Sequence, residues 1–472
     1  MIRNSFAILF ASELFASVVG FGVMVTLARR LGPAGFANFE YGSAVLAWWL
    51  VVVRGGFDAI VYREAARRPR LIVPLTDVLL GLRLASAVVG LMAIFTLAWA
   101  SGSERRWVVA MAGLVLIPSA FATDVGFRAS CRFRPLALAQ VVRAIGLAVG
   151  AALFVSGTAD ALIAASCLVG SEIVSTIVFI SIHCDEYGSI WPRFRRRVWS
   201  VLATRGAIAG VTRFGRVSLY AVDLLILGSL ADSTTLGPYA AARRVAFALL
   251  ALGLVVPSAL APRFAKAWTL GAVEARSVVM LTFERMSIII LPATLGLILT
   301  ADRWMSCLFG DSFREGGPWL ALIAARLPFV LVSNVQQAAL IACRREDWSL
   351  RLVLGMVALA LVVIPPLAMV AGAWGVAWGI LGVEASGAIA GWFALSRLGL
   401  APRWHHSSGL AWMGCIPLVL ICSIGHEWPL ASVVLAGALA YGLVVALPRD
   451  QRRLGWQDGS RKLSPMGSGG PS

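Results

Sequence analysis

Long apolar runs separated by short polar segments fill the chain from end to end. A bilayer core takes about 20 mostly apolar residues per helix. On that measure the pattern predicts fourteen spans, near 6–28, 38–53, 76–100, 107–124, 136–156, 159–182, 206–231, 236–258, 279–300, 318–342, 350–370, 374–396, 409–426 and 429–447. The runs are continuous and aliphatic and do not alternate over ten-residue segments, which points to helices and away from a β-barrel. What remains amounts to roughly a dozen residues per connection, too few for an extramembrane domain once each span has taken its share. The fold class expected is an all-α polytopic membrane protein of about fourteen transmembrane helices.

Composition agrees. The 472 residues are 59% hydrophobic and 14% charged, against roughly 25% charged in an average soluble domain, which excludes a soluble multidomain enzyme. A net charge of +17 in a soluble chain suggests nucleic acid, but its distribution changes the meaning. With the N-terminus inside, the even-numbered connections and both tails hold 27 of the 41 basic residues. The opposite side holds six: Arg29, Arg30, Arg105, Arg106, Arg303 and Arg314. The positive-inside rule then puts both termini in the cytoplasm, and no nucleic-acid partner is expected.

The first span reads as a retained helix, because its apolar stretch is too long for a secretory signal and Arg29-Arg30 stands where a cleavage site needs small residues. Seven scattered cysteines read as small core residues, and no metal site or cofactor is expected. The chain has two lysines, Lys266 and Lys462, neither in a Gly-Lys-Ser/Thr phosphate loop, so ATP hydrolysis through a Walker motif is excluded.

Candidate chemistry lies in charges inside the spans. Arg83, Arg143, Arg213, Arg216, Arg243, Arg244, Arg285 and Arg326 fall there, and an arginine at a helix centre costs about 2.5–3.5 kcal/mol on insertion scales. Such groups need partners or water. In the seventh span Arg213, Arg216, Tyr220 and Asp223 fall within a stripe about 80° wide at 100° per residue. In the tenth, Arg326, Ser333 and Gln337 share a face that Pro328 interrupts, and in the fifth Gln140 and Arg143 share one. Arg243, Arg244 and Arg285 lie near predicted span ends, where snorkelling or packing is expected. Against the eight arginines stand five acids, Glu13, Glu172, Asp223, Glu284 and Glu384, leaving the interior positive. A positive, hydrated cavity favours an anionic cargo such as a phosphate or diphosphate. The expected cargo contacts are Arg213, Arg216, Arg143, Arg326 and Arg83, with Asp223 orienting the arginines. Glu13, with Ser17 one turn on, is a candidate for ion coupling. Prolines within spans suit helices that bend during alternating access.

LARRLGPAGFANFEY at 27–41, VYREAARRP at 61–69 and DLLILGSLADSTTLGPYAAARRVA at 223–246 resemble bacterial polysaccharide biosynthesis proteins. These are the oligosaccharide-lipid flippases of the multidrug/oligosaccharidyl-lipid/polysaccharide exporter superfamily. The chain departs from the pattern at Phe39, where a tyrosine is common, and at Pro238 inside the second glycine-aromatic pair.

The resemblance implies two six-helix lobes, here 1–182 and 206–397, and two extra helices at 398–447. A basic cytoplasmic linker at 183–205 then joins the lobes, and a disordered cytoplasmic tail follows at 448–472. It implies a transporter of the bacterial cytoplasmic membrane, not an enzyme, that moves a polyprenyl-diphosphate-linked oligosaccharide. Its implied partners are that lipid-linked glycan, membrane lipids, and the glycosyltransferases and polymerase of the same route. The rival readings are a drug or cation antiporter of the same superfamily, which calls for an acidic cavity, and a membrane-embedded glycan polymerase or ligase, which calls for a large outer loop.

Overall fold

The computed structural model describes residues 2–55, 58–100, 103–122, 124–253, 255–401 and 406–446. The tail expected at 448–472 lies outside the described residues. The N-terminal half contains α1 (Ile2–Arg54), α2 (Asp58–Arg67), α3 (Ile72–Ala100), α4 (Ser103–Gly113), α5 (Leu116–Ala120), α6 (Val125–Ala129), α7 (Arg134–Phe154) and α8 (Ala161–Tyr187). After it come α9 (Arg196–Leu230), α10 (Ser233–Gly253), α11 (Val255–Leu270), α12 (Ala272–Leu299), α13 (Ala301–Phe309), α14 (Gly317–Ala325) and α15 (Leu327–Ala342). The chain continues through α16 (Glu346–Arg397), α17 (His406–Ile424) and α18 (Leu430–Ala446). Among the described residues seven helices are long and apolar enough to cross a membrane. The protein is an all-α, multi-pass membrane protein.

Two of those helices each hold two expected spans. In α1 the helical path breaks at Gly32 (φ 65°, ψ 179°), just before Pro33. On the near side of the break Ser12 bonds Gln140, while on the far side Arg54 reaches Glu172, so both ends return to the same end of the α7–α8 pair. Arg30, beside the break, instead bonds carbonyls at the other end of α7. In α16 the break is Gly372 (φ 53°, ψ −132°). Gly379 there packs on Ile364, which a continuous helix would hold about 22 Å away at 1.5 Å per residue. Both are helical hairpins whose tips need a positive φ that glycine supplies without a Cβ clash.

Prolines account for two further interruptions. Tight three-residue hydrogen bonds link Leu114 to Met111, Val115 to Ala112 and Ile117 to Leu114, next to Pro118, which lacks a donor. Pro328, at the second position of α15, likewise parts α14 from α15 and leaves Arg326 at the junction.

Helices α1 and α3–α8 pack among themselves, as do α9–α16, and contacts between the two groups run mainly from α1 to α9 and α10. Helices α17 and α18 pair with each other and rest on α12. Since α8 continues to Tyr187 and α9 begins at Arg196, the non-helical connection between the groups is residues 188–195. It is pinned to the start of α3. Arg193 N–H donates to the Asp77 carbonyl (3.0 Å), Trp191 N–H donates to Asp77 Oδ1 (3.2 Å), and Arg193 Nε lies 3.1 Å from Asp77 Oδ2.

Candidate functional site

A crevice of about 130 Å³ opens between α7, α8 and the end of α1. Three guanidiniums, Arg54, Arg128 and Arg143, line it together with two carboxylates, Asp124 and Glu172, and with Gln140. Glu172 serves two arginines at once: Arg54 Nη2 lies 3.2 Å from Oε1 and Arg143 Nη1 lies 3.5 Å from Oε2. The arginine side chains are 31% and 44% exposed and the glutamate 10%, so the positive groups face the opening. Arg54 Nε has no hydrogen-bond partner. One negative charge shared between two forked donors leaves directional N–H capacity for a second anion.

Beside the crevice Arg83 is enclosed. It donates to Asp58 Oδ1 (2.8 Å), to Asp124 Oδ1 (3.4 Å) and to the Ala122 carbonyl. Asp124 also accepts from Tyr62 (2.7 Å) and Arg128 (2.7 Å). This network ties α2, α3 and the turn before α6 together. In it burial pushes the Asp58 carboxyl above its usual range, and the neighbouring Asp124 charge adds to that against the opposing pull of Arg83.

The α9 stripe enters the second group of helices. Asp223, fully buried, lies 3.2 Å from Arg326 Nη1 and 3.3 Å from Arg243 Nε, and accepts from Tyr239 OH at 3.4 Å. Arg216 donates to Tyr220 OH and to Asn334 Oδ1, each at 2.9 Å, while its Nη1 is buried without a partner. Phe247 carries the guanidiniums of Arg243 and Arg326 over its ring. Arg213, further along α9, is exposed and makes no hydrogen bond or ion pair among the described residues.

At the end of the molecule that holds Arg29 and Arg30 the two groups of helices meet closely. Arg29 donates to the Leu308 and Cys307 carbonyls (2.7 and 2.6 Å). Arg105 donates to Asn38 (2.9 Å), to Ser233 (2.9 Å) and to the Gly228 carbonyl. Arg244 pairs with Glu40 at 2.8 Å. Phe36 packs edge-on against Phe313, ring centroids 6.1 Å apart.

Several expectations need correction. Arg326 is wholly buried and Arg83 nearly so, and both are held by carboxylates, so in this conformation neither lines a hydrated cavity. Of the two outcomes expected for Arg243 and Arg244, snorkelling or packing, it is packing that occurs: they pair with Asp223 and Glu40. The expected excess of positive charge within the spans does not hold, because Glu40, Asp77, Asp124 and Asp160 also fall inside them, which makes nine acids against the eight arginines; Glu40 pairs with Arg244 and Asp77 with Arg193. Ser17 donates to the backbone carbonyl of Glu13 and not to its carboxylate, which is exposed. Arg54, counted in the sequence as a loop anchor, is the residue that sequence reasoning missed. Its signal was its place one residue beyond the second span.

The fold defines a class: an all-α, multi-pass membrane protein whose two groups of helices pack closely at one end. The chain belongs to the polysaccharide biosynthesis protein family, whose pattern it matches over residues 2–268. It shares its fold with the lipid II flippase MurJ in an inward closed conformation, at TM-score 0.73 and 12% identity, over 92% of this chain and 97% of that one. An inward-facing multidrug resistance MATE family transporter of the MOP superfamily aligns at TM-score 0.64 and 14% identity, over 81% and 95% of the two chains. The MATE multidrug transporter DinF-BH aligns at TM-score 0.62 and 14% identity, over 84% and 95%. No curated protein sequence matches the chain.

Proposed function

We propose that this protein is a flippase that moves a polyprenyl-diphosphate-linked oligosaccharide from the inner to the outer leaflet of a bacterial cytoplasmic membrane, for polysaccharide export. Both termini are cytoplasmic on this reading. A sugar-diphosphate head does not cross about 30 Å of hydrocarbon unaided. It needs a polar, cationic path while its tail stays among lipid.

The observation that carries the proposal is the crevice in which Arg54 and Arg143 share Glu172. Two guanidinium forks on one carboxylate suit a diphosphate, which displaces or joins the glutamate. Arg213 is exposed and so free to engage the same anion, and Arg216 brings an unpartnered Nη1. Arg83, Arg326 and Asp223 act from behind, by holding the walls of the path. An apolar cavity of about 510 Å³, lined by Phe21, Leu249, Pro292, Leu418 and Val433 among others, has the chemistry of a hydrocarbon-chain site. Family membership supports the polysaccharide route.

The rival cation antiporter fits less well, because the crevice holds three guanidiniums against two carboxylates. Outward movement of negative charge is downhill in a cell negative inside, by about 2.3 kcal/mol per charge per 100 mV. Glu13 is the candidate for ion coupling, and its substitution should alter flipping only where an ion gradient drives it.

The test is a deletion strain. Lipid-linked oligosaccharide should accumulate on the inner leaflet, wild-type protein should clear it, and the Arg54→Glu/Arg143→Glu variant should not. Unchanged leaflet distribution in the deletion strain overturns the proposal.

A further inference from the structure

The two limbs of α16 leave a groove between them at the end where the helix starts and finishes. Trp348, Arg351 and Leu352 line it from the first limb, and Phe393, Ala394 and Arg397 from the second, around a cavity of about 440 Å³. The spacings, three and four residues along each limb, put these side chains on one face of each helix. Arg351 and Arg397 are exposed, and neither forms a hydrogen bond or ion pair among the described residues. Glu346 and Asp347, in the first turn, come within ion-pair distance of neither among those residues.

Above the arginines the surface turns apolar. Val362 lies on the Arg351 face three turns on and is 70% exposed, and Ile389 and Phe393 are 59% and 64% exposed on the second limb. Gly355 adds no bulk between Arg351 and Val362. The groove is therefore cationic at one end, apolar along its length, and has an aromatic ring at the boundary, where tryptophan sits at a membrane surface. By the positive-inside reading this boundary is the cytoplasmic one.

We propose that the groove holds one anionic glycerophospholipid of the cytoplasmic leaflet. Its phosphate is gripped by Arg351 and Arg397, and an acyl chain lies along Leu352, Ala394 and Phe393. Charge complementarity selects the occupant. Two unpaired guanidiniums at a lipid boundary attract an anionic head group, and forked N–H donors match phosphate oxygens. A zwitterionic head group brings its own cation to the same place and loses that advantage. The site is separate from the crevice of α7 and α8, and the two share no lining residue.

Native mass spectrometry of the full-length protein tests this, with phosphatidylglycerol and phosphatidylcholine of identical chains as probes. Wild-type protein should favour phosphatidylglycerol by about tenfold, and Arg351→Gln/Arg397→Gln should bring that preference to about onefold. Arg351→Lys/Arg397→Lys keeps the charge and should retain a reduced preference, which separates charge from misfolding. Equal binding of the two lipids by wild-type protein overturns the proposal, as does an undiminished preference in the glutamine variant. Undecaprenyl diphosphate is the third probe. If the glutamine variant abolishes its binding, the groove belongs to the cargo and the proposal fails. If only Arg54 and Arg143 substitutions affect it, the groove is a phospholipid site distinct from the transport path.

Discussion

Asp223 on α9 and Arg326 at the junction of α14 and α15 meet at 3.2 Å with neither side chain exposed. A pair so buried adds little net stability, but removing one partner strands the other, at about 3–5 kcal/mol. Asp223 also neutralises Arg243, so its loss leaves two guanidiniums without that carboxylate, whereas after loss of Arg326 Asp223 still has Arg243 and only the buried Glu384 loses a nearby cation. Asp223→Asn should therefore lower the melting temperature in detergent more than Arg326→Met does. Equal losses would show that Arg243 takes no part.

Glu172 is the counter-charge that Arg54 and Arg143 share. Glu172→Gln removes its charge and should tighten binding of a polyprenyl diphosphate by roughly tenfold, on the scale of one charged hydrogen bond of about 1.5–3 kcal/mol. The same change should slow release, so flipping in reconstituted vesicles should fall as affinity rises. Weaker binding in the variant would place the anion elsewhere.

Arg105, on α4, joins Asn38 on α1 to the Gly228 carbonyl near the end of α9 and to Ser233 at the start of α10. Arg105→Ala should loosen that end of the molecule by about 1.5–3 kcal/mol for each charged bond lost. Spin labels at Ser156 and Arg314, one in each lobe and both exposed, should report a larger share of long distances in the variant. An unchanged distribution would show that the aromatic contacts suffice.

Burial and the Asp124 charge raise the Asp58 carboxyl above its usual range. For an acid shifted this way the ionised form opposes folding. The penalty is full above the raised folded-state value and fades as pH falls towards the unfolded value of about 3.9. Asp58→Asn should remove that part of the acid-side gain in stability while keeping an acceptor for Arg83. Identical melting-temperature profiles for variant and wild type between neutral pH and pH 4 would contradict it.

A Cβ at Gly81 would lie 2.5 Å from the Arg193 carbonyl oxygen. Gly81→Val should lift residues 188–195 from α3 and speed proteolytic cutting within them, with the helices intact. Resistance equal to the wild type would mean that the Asp77 bonds yield to the added bulk.

Much of the fold was legible in the pattern because a membrane span is a local property of the sequence. Length and hydropathy suffice to see α3, α7, α8 and α12. The hairpin tips were legible too: the spans stop at 28 and 370 and resume at 38 and 374, on either side of Gly32 and Gly372, where the helical paths break. The site was only partly legible, because helical angle fixes which face a residue occupies but not what that face meets. Arg213 and Asp223 share one stripe of α9, yet one ends in the open and the other inside a knot of tyrosine and arginine. Arg83 looked solitary in its span, because Asp58 and Asp124 that hold it stand 25 and 41 residues away in the chain.

Arg29 and Arg30 are neighbours in the chain with opposite allegiances. Arg30 caps the end of α7 in its own half, through the Ala151, Ala152 and Val155 carbonyls. Arg29 caps the end of α13 in the other half. On the proposed function the halves part there, Arg29 lets go while Arg30 keeps its grip, and the freed guanidinium stands at the outer exit of the path, where a departing head group would leave it.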